Sequence, residues 1–375
     1  NCDPDPQISF TESSNPLGCS YEITRTWIAT DNCGNTSSAS QVITVESALD
    51  ITASVTSGDG TYDITCNMGD DGETLATISG GTPPISIQWS NAQTGTTATN
   101  LMAGVYYVTA TDNTGCTAVD SVRLIEPPAI IANTNVTSNY GGEDISCFGG
   151  NNGSARVNAS GGVGNFTYSW STGSTSNTVD SLSAGTYNVT VTDDNGCTAV
   201  SGVTLNDPTP LVANATITTP ISCFGFSDGV ATINASGGIP PYSYQWRNRA
   251  TGPIAGSTSA SNLVAGIYDI TVTDNNSCEV ITSVTVNDPP ELILNIDVAN
   301  DPNTCNAADG SISVSATGGQ GSPEFRLGST GVWQSSGNFT NLSAGTYQLY
   351  ARNSNGTCET LDTEVILSDP VPFAC

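Results

Sequence analysis

Hydrophobic and polar residues alternate along most of this chain, with the period of two that is typical of β-strands. One such row contains Tyr187, Val189 and Val191, and the residues between them are polar. A second row of apolar residues ends at Trp170, and no stretch has the spacing of an amphipathic helix. The alternation therefore predicts an all-β protein with many short antiparallel strands.

The pattern returns about every 80 residues, which indicates an internal repeat. Each copy contains a cysteine, a Gly-Gly pair, a Leu-x-Ala-Gly-x-Tyr stretch and a second cysteine, in that order. The first and second cysteines of the four copies are Cys66 and Cys116, Cys147 and Cys197, Cys223 and Cys278, and Cys305 and Cys358. Proline-containing borders divide the chain into a partial domain (1–46), repeats 1 to 4 (47–128, 129–209, 210–290 and 291–370) and the start of a further segment or tail (371–375).

Alternating strands with turn signals every 8–12 residues or so predict tandem immunoglobulin-like antiparallel β-sandwich domains, arranged head to tail. The tryptophan falls on the expected third strand, and the tyrosine of Leu-x-Ala-Gly-x-Tyr lies where a tyrosine corner is expected. Short connections between the repeats favour an extended and rather stiff array. In repeat 4, Leu327 takes the tryptophan position and Trp333 lies beyond it.

The leading residues 1–46 contain only the strands of the second half of a domain, so we expect a partial β-sandwich there. The strands that would precede them either lie upstream in a longer polypeptide or are borrowed from another chain. The chain begins at Asn1 without a signal peptide or a sorting tail, which favours a segment of a longer, exported polypeptide.

Composition narrows the classes of function. The chain has 24 Asp and 11 Glu against seven Arg, a formal charge of −28, and neither Lys nor His. The lack of His excludes a Ser-His-Asp triad and His-ligated zinc. Without Lys there is no Walker-type phosphate loop and no Lys–Asn isopeptide crosslink. Because an acidic surface repels nucleic acid, and no apolar run could span a membrane, we expect neither nucleic-acid partners nor membrane insertion in this segment.

Twelve cysteines at regular spacing predict disulfides and an oxidising compartment outside the cytosol. Two pairing schemes are open, and the first joins the two cysteines of one repeat, such as Cys147 and Cys197. In immunoglobulin strand order these cysteines lie at opposite ends of a strand about 26 Å long, whereas bridged Cα atoms lie within about 7 Å. An irregular segment between strands A and B could still carry the first cysteine to the other end.

The second scheme joins neighbouring repeats, because the A–B end of one domain abuts the F–G end of the next in a head-to-tail array. We prefer it because it accounts for all twelve cysteines. The preferred pairs are Cys2–Cys33, Cys19–Cys116, Cys66–Cys197, Cys147–Cys278, Cys223–Cys358 and Cys305–Cys375. Such crosslinks would restrict bending and keep the chain connected when a domain unfolds.

Clusters of Asp and Asn in the turns are the candidate metal sites, because carboxylates and turn carbonyls are ligands that Ca²⁺ prefers. The candidates are Asp112, Asp193, Asp194 and Asp274. Plain turn chemistry explains the same residues, since Asn, Asp and Gly tolerate the positive φ of tight turns, and we favour that interpretation. No cofactor is required, and Ca²⁺ stays an alternative.

The recurring motifs resemble the SprB-type repeats of Bacteroidota gliding and surface adhesins. They are Cys-x-Gly with Asp/Asn-Gly, Gly-Gly-x-x-x-x-Tyr-x-Trp, Leu-x-Ala-Gly-x-Tyr and Thr-Asp-x-x-Gly-Cys, over residues 47–370. Residues 25–35 are similar to the end of a hyalin-repeat-like domain. Ser121 and Ser181, each between Asp and an apolar residue, match a short pattern that resembles Bacteroidota O-glycosylation sites. The resemblance implies export by the type IX system and display on the cell surface.

Three functions follow from these observations. The preferred one is a non-catalytic stalk or filament segment of a large exported adhesin, stiffened by disulfides and serving attachment or gliding. The alternatives are an array of carbohydrate- or protein-binding modules and an accessory region of a secreted hydrolase. The partner would be a surface polysaccharide or a protein, and exposed edge strands or a strand that completes residues 1–46 could drive self-assembly into filaments.

Overall fold

The computed structural model describes residues 5–17, 19–46, 48–360 and 363–370. These residues form 28 β-strands and no helix, so the predicted all-β class is confirmed. The chain divides into two compact units. The first comprises Asn1–Val136, Ala155–Val179 and Thr186–Thr204, and the second comprises Thr137–Ser154, Asp180–Gly185 and Leu205–Cys375.

The strands fall into five consecutive groups. The leading residues form β1 (Gln7–Leu17), β2 (Ser20–Thr30) and β3 (Thr36–Glu46). Repeat 1 contains β4 (Asp50–Val55), β5 (Gly72–Ser79), β6 (Ser86–Trp89), β7 (Thr97–Leu101), β8 (Gly104–Thr111) and β9 (Thr117–Leu124). Repeat 2 contains β10 (Ile131–Val136), β11 (Gly153–Ser160), β12 (Thr167–Trp170), β13 (Thr178–Leu182), β14 (Gly185–Thr192) and β15 (Thr198–Leu205).

The last two groups follow the same order with one addition. Repeat 3 contains β16 (Val212–Thr219), β17 (Gly229–Ser236), β18 (Ser243–Asn248), β19 (Gly252–Ala255), β20 (Ser259–Leu263), β21 (Gly266–Thr273) and β22 (Glu279–Val286). Repeat 4 contains β23 (Ile293–Asn300), β24 (Gly310–Thr317), β25 (Pro323–Leu327), β26 (Asn338–Leu342), β27 (Gly345–Asn353) and β28 (Thr363–Leu367).

The first unit begins with a single antiparallel sheet in the order β1-β2-β3. Its three strands have 11 residues each and pair in continuous register, with Phe10 opposite Trp27 and Trp27 opposite Ala39. The leading residues therefore form a three-stranded antiparallel sheet, and the partial β-sandwich stays a prediction.

Repeat 1, in the same unit, is a sandwich of two three-stranded sheets, β4-β5-β7 and β6-β8-β9. These correspond to the A-B-E and C-F-G sheets of an immunoglobulin domain without strand D. Alternate residues of both sheets point inward, and Trp89, Leu101, Val108 and Leu124 are at most 2% exposed. The Trp89 ring also donates its N–H to the carbonyl oxygen of Gly95 over 3.1 Å, which satisfies its buried polar atom.

The parts of repeat 2 in the first unit continue this pattern. Strand β10 pairs with residues 155–160 of β11, and β12 pairs with residues 189–192 of β14. Trp170 lies opposite Val189, and both are buried, as the alternation predicts. The Trp170 ring N–H donates to the carbonyl oxygen of Ser176 over 2.9 Å.

In the second unit, repeat 3 pairs a three-stranded sheet, β16-β17-β20, with a four-stranded one, β19-β18-β21-β22. Its core surrounds Trp246 and Tyr268, which are 0% and 2% exposed. The extra edge strand β19 contains Pro253, which an edge position tolerates because it needs fewer ladder hydrogen bonds.

Repeat 4, also in the second unit, has the sheets β23-β24-β26 and β25-β27-β28. Leu327 packs against its core at the tryptophan position. Trp333 lies instead between two guanidinium groups, 4.6 Å from that of Arg326 and 4.3 Å from that of Arg352. Arg326 also stacks on Tyr350 at 4.6 Å, so the displaced tryptophan has become part of a cation–π stack.

The Leu-x-Ala-Gly-x-Tyr motif forms the predicted tyrosine corner. The hydroxyl groups of Tyr106, Tyr268 and Tyr347 each donate to the carbonyl oxygen of the fourth residue upstream, over 3.1, 2.8 and 2.8 Å. The bond ties the start of strand F to the turn that precedes it. This turn lies at the end of the domain where strand B begins, because Gly72 pairs with Leu101.

Candidate functional site

The junctions between consecutive repeats carry three disulfides. They join Cys66 to Cys197, Cys147 to Cys278 and Cys223 to Cys358, with Cα atoms 5.6, 5.6 and 5.4 Å apart. Each bond links the first cysteine of one repeat to the second cysteine of the next, across 131, 131 and 135 residues. The preferred pairing between repeats is confirmed for these six cysteines, and the in-repeat alternative is wrong for them.

The first cysteine of each pair lies in a short loop between strands A and B, and the border of its own repeat holds that loop. Gly149 donates its backbone N–H to the carboxylate of Asp207, and Gly225 to that of Asp288, over 3.1 Å each. In repeat 1 the Asn67 side chain donates to the Glu126 carboxylate over the same distance. The acidic residue before each border proline therefore fixes the first cysteine.

A second acidic or amide side chain closes the same loop from inside. The backbone N–H groups of Thr65, Ser222 and Asn303 donate to Asp71, Asp228 and Asp309 over 3.1, 3.1 and 3.0 Å. Hydrogen bonds from the same three residues lower the pKa of each of these carboxyl groups below its usual value. In repeat 2 the amide of Asn152 accepts the N–H of Ser146 instead.

The second cysteine lies in the F–G turn, which is organised by the predicted calcium candidates Asp112, Asp193 and Asp274. Each carboxylate accepts the backbone N–H of the cysteine four residues later over 2.9 Å. Its other oxygen accepts a backbone N–H beside the Gly-Gly motif, from Thr82, Val163 and Ile239, over 3.0, 2.9 and 2.8 Å. Asp193 and Asp274 therefore position Cys197 and Cys278 for their disulfides, whereas Asp112 holds Cys116, which is a free thiol, in the same way.

Calcium binding at these turns is not needed to explain the carboxylates. Among the described residues, no three His, Cys, Asp or Glu come together in a group that could hold a metal ion. Asp194, the fourth candidate, accepts the N–H of Asn165 over 2.9 Å. The turn interpretation accounts for all four residues, and Ca²⁺ stays a prediction.

Asp112 shows the electrostatic effect of the turn most clearly. Hydrogen bonds from the Thr114 hydroxyl and from the backbone N–H groups of Thr82 and Cys116 hold the pKa of its carboxyl group far below the usual range. In repeat 4 the equivalent residue is Asn353, whose side-chain oxygen accepts the N–H of Gln320 over 2.9 Å. Its buried Nδ2 atom has no hydrogen-bond partner.

An amide side chain crosses each junction beside the disulfide. Asn195 of repeat 2 donates to the carbonyl oxygen of Thr65 over 3.2 Å, and Asn276 of repeat 3 donates to that of Ser146 over 3.2 Å. At the third junction Gln320 donates to the carbonyl oxygen of Ile221 over 3.4 Å. None of these roles was predicted from the sequence, although Asn195 and Asn276 recur two residues before the second cysteine.

The two bonds that were predicted for the leading end do not form. Cys19, Cys33 and Cys116 are free thiols, so the predicted bonds Cys19–Cys116 and Cys2–Cys33 are wrong for this structure. Cys19 and Cys116 are nevertheless in contact, and the hydrogen bond between their side chains raises the pKa of Cys19. Cys305 is disulfide-bonded, whereas Cys2 and Cys375 lie outside the described residues.

The predicted glycosylation sites are accessible, because Ser121 and Ser181 are both exposed. Their modification stays a prediction. In the described part of the chain, no helix is both long and apolar enough to cross a membrane.

Comparison with known proteins identifies the repeats. The family model of the SprB repeat matches residues 61–94, 143–175 and 215–251, which lie in repeats 1, 2 and 3. The chain carries SprB repeats. Each matched stretch of a SprB repeat includes the Gly-Gly motif and the strand that ends near the core tryptophan. The match does not extend to the leading residues, and their hyalin-like character stays a prediction. No curated protein matches this chain.

Solved structures with similar domain arrays share little sequence with these SprB repeats. The N-terminal eight Ig domains of Down syndrome cell adhesion molecule match with 10% identity and a TM-score of 0.28, over 93% of this chain and 63% of that one. Invasin, a bacterial integrin-binding protein, matches with 14% identity and a TM-score of 0.31, over 84% and 79%. The surface-layer protein SbsC matches with 13% identity and a TM-score of 0.26, over 86% and 55%.

The chain therefore spans less than two thirds of the length of the cell adhesion molecule and of SbsC, and at these TM-scores the similarities carry no conclusion about its activity. The SprB repeats, together with the disulfides, mark an extracellular or cell-surface protein of the adhesin type.

Proposed function

We propose that this chain is a non-catalytic stalk segment of an exported surface adhesin, in which inter-repeat disulfides carry tensile load. The observation that carries the proposal is that each of the three disulfides joins one repeat to the next. A disulfide within a repeat would protect only that repeat. A disulfide between repeats keeps the covalent path short when either repeat unfolds.

The order of the cysteines defines the load path. Tension applied to the two ends passes from Cys66 directly to Cys197, along the short segment to Cys223, and directly to Cys358. The residues between Cys66 and Cys197, and between Cys223 and Cys358, are bypassed and carry no load. The middle disulfide, Cys147–Cys278, is not on this shortest path.

Thermodynamic stability alone does not distinguish this arrangement from independent domains. In the chain-entropy model, closing a loop of 131 residues contributes about 5 kcal/mol, and a loop of about 50 residues within one repeat contributes about 4 kcal/mol. The difference is small, so the advantage of the longer loops is mechanical. This reasoning supports attachment to a surface, or gliding over one after type IX export, as the setting in which the segment works.

Single-molecule stretching of the chain between its ends tests the proposal. With the disulfides intact, about 260 bypassed residues stay out of the extended path, and at roughly 3.4 Å per residue their release by reductant adds about 900 Å of contour length. Equal contour lengths in oxidised and reduced samples would show that the disulfides do not carry load.

Two paired variants make this experiment specific. Replacing both cysteines of the third disulfide (Cys223→Ser with Cys358→Ser) lengthens the shortest path by roughly 100 residues, or about 350 Å. The matched control removes the middle disulfide (Cys147→Ser with Cys278→Ser) and leaves the oxidised contour length unchanged. Lengthening by the control variant would contradict the load path.

A further inference from the structure

The two faces of the leading sheet β1-β2-β3 differ sharply in polarity. Because side chains alternate along a strand, the measured register places Phe10, Trp27 and Ala39 on one face, with Ile23 opposite Ile43 two rows further on. The opposite face carries mostly Ser and Thr, with Thr26 and Ser40 hydrogen-bonded across the strands over 2.9 Å. We call the first of these surfaces the apolar face; it is formed by Ile8, Phe10, Ile23, Trp27, Ile43 and Val45.

The apolar face is most open to solvent along β1, where Ile8 and Phe10 are 70% and 62% exposed. Its residues on β2 and β3 are half-buried. Among the described residues, β1, β2 and β3 hydrogen-bond only with one another, and no second sheet packs on them as in the repeats. An antiparallel sheet with one apolar face requires a covering layer, because monomeric proteins rarely expose apolar patches of this size.

We propose that the apolar face packs against the same face of a second copy of this chain, forming a two-sheet sandwich at the leading end. This inference goes beyond the proposed function and does not depend on it. The strand count supports it. Repeats 1 and 4 are each built from two three-stranded sheets, and two leading sheets face to face would reproduce that arrangement.

The size of the face is compatible with a specific dimer. Three strands of 11 residues make a surface about 36 Å long and about 14 Å wide, or roughly 500 Å² in flat projection. Two copies therefore cover about 1,000 Å², which is the size that a biological interface needs as a minimum. Because side chains project from the sheet, the buried accessible area is larger than this flat projection.

Charge also favours this face over the rest of the surface. The chain has a net charge of −28, so two copies repel each other over most of their surface. On the apolar face the charged residues of the central row, Glu12 and Arg25, form an ion pair of 2.7 Å and neutralise each other. The electrostatic repulsion between two copies is therefore weakest at the apolar face. A two-fold axis brings the same residues together from both sides.

Sedimentation equilibrium of the full 375-residue chain, with its disulfides intact, tests this inference. We expect a monomer–dimer equilibrium in the concentration range of roughly 1 to 100 µM. Phe10→Asp, which places a charge in the apolar face, raises the dissociation constant at least about tenfold. The matched control is Thr11→Asp, which adds the same charge to the neighbouring residue on the polar face and leaves the dimer intact.

Ile8→Asp and its control Ser9→Asp repeat the comparison, so that the outcome does not depend on one variant that fails to fold. Circular dichroism confirms the strand content of all four variants. Dimers that both polar-face variants keep and both apolar-face variants lose would establish the interface. A wild-type chain that stays monomeric over the whole concentration range would overturn the proposal. Strands from a longer polypeptide would then be the candidates that cover the apolar face. A dimer that Phe10→Asp does not weaken would also overturn it.

Discussion

The carboxylates in the loops and turns around the cysteines accept hydrogen bonds from backbone N–H groups. Their contribution to the stability of the fold is therefore lost in acid. The hydrogen bonds lower the pKa of Asp71, Asp112, Asp228 and Asp309 in the folded chain. The unfolded chain therefore binds more protons than the folded chain in acid. Their contribution to stability is complete above the unfolded pKa of about 3.9 and is lost as the pH falls through the folded values.

We therefore expect the melting temperature to be nearly constant from neutral pH down to about 5 and to fall steadily below about 4. Circular dichroism melting curves of the oxidised chain at a series of pH values measure this. A melting temperature that does not change on acidification would show that these hydrogen bonds contribute nothing to stability. Added chelator at neutral pH tests calcium in the same experiment, because loss of a bound ion lowers the melting temperature.

Asn353 is the one F–G turn residue that departs from the aspartates of the other repeats, and its buried Nδ2 atom lacks a partner. We expect Asn353→Asp to stabilise repeat 4 by about 1 kcal/mol at neutral pH, because the second oxygen can accept backbone N–H groups of the turn, as the aspartates of the other repeats do. Denaturant unfolding measures the change. Ser354→Asp adds the same charge at the neighbouring exposed position and is the control. Equal stability of the two variants would contradict this account.

At the scale of a single element, the connection between β25 and β26 shows how repeat 4 compensates for its missing core tryptophan. Trp333 lies between Arg326 and Arg352, and these two guanidinium groups pair with the carboxylates of Glu359 and Glu324. The stack therefore holds this connection against strands β25 and β27. A hydrophobic contact in the core has been replaced by a cation–π contact at the surface.

We expect Trp333→Ala to lower the free energy of unfolding of repeat 4 by about 2 kcal/mol, since two cation–π contacts are lost. The neighbouring Val332 is 87% exposed, and Val332→Ala is the control, with an effect below about 0.5 kcal/mol. Denaturant unfolding followed by tryptophan fluorescence is unsuitable for Trp333→Ala, so circular dichroism measures both. Similar losses in the two variants would show that the stack is not stabilising.

The strands of the repeats could be predicted best from the sequence. Their alternation identified Trp89, Trp170 and Trp246 as core residues, because both sheets of a sandwich bury every second side chain. It did not identify β1, whose frequent Ser and Thr obscure the apolar row, or β19, which contains Pro253 at a sheet edge. The pairing of both strands is set by the neighbouring strand, and their own residues give only a weak β-strand pattern.

At the scale of the whole chain, strand order and the distance limit for disulfides were enough to predict the three inter-repeat bonds. The side chains that support those bonds were not predictable in the same way. The contacts of Glu126, Asp207 and Asp288 join residues about 60 positions apart, so only the folded backbone shows which N–H group each one accepts. The turn aspartates were identified as candidates, but the backbone N–H groups that they accept could not be assigned from the sequence.

The three disulfide loops also overlap along the sequence, from Cys66 to Cys358. The second loop begins before the first ends, and the third begins before the second ends. Every peptide bond in this range therefore lies inside at least one closed loop. Cleavage at a single site, for example after Arg156 by an arginine-specific protease, leaves one covalent molecule.

We expect a singly cleaved sample to run as one full-length band on a non-reducing gel and as two fragments after reduction. Separation without reductant would contradict the overlap. Domains with disulfides only inside each repeat would part at the first cut between them. Two cuts within this range also leave its ends joined, because the ends separate only after three cuts in three consecutive segments, for example one in each segment between Cys66 and Cys223. Outside the cell, where proteases are present, such a chain therefore stays attached after one or two cuts in this range.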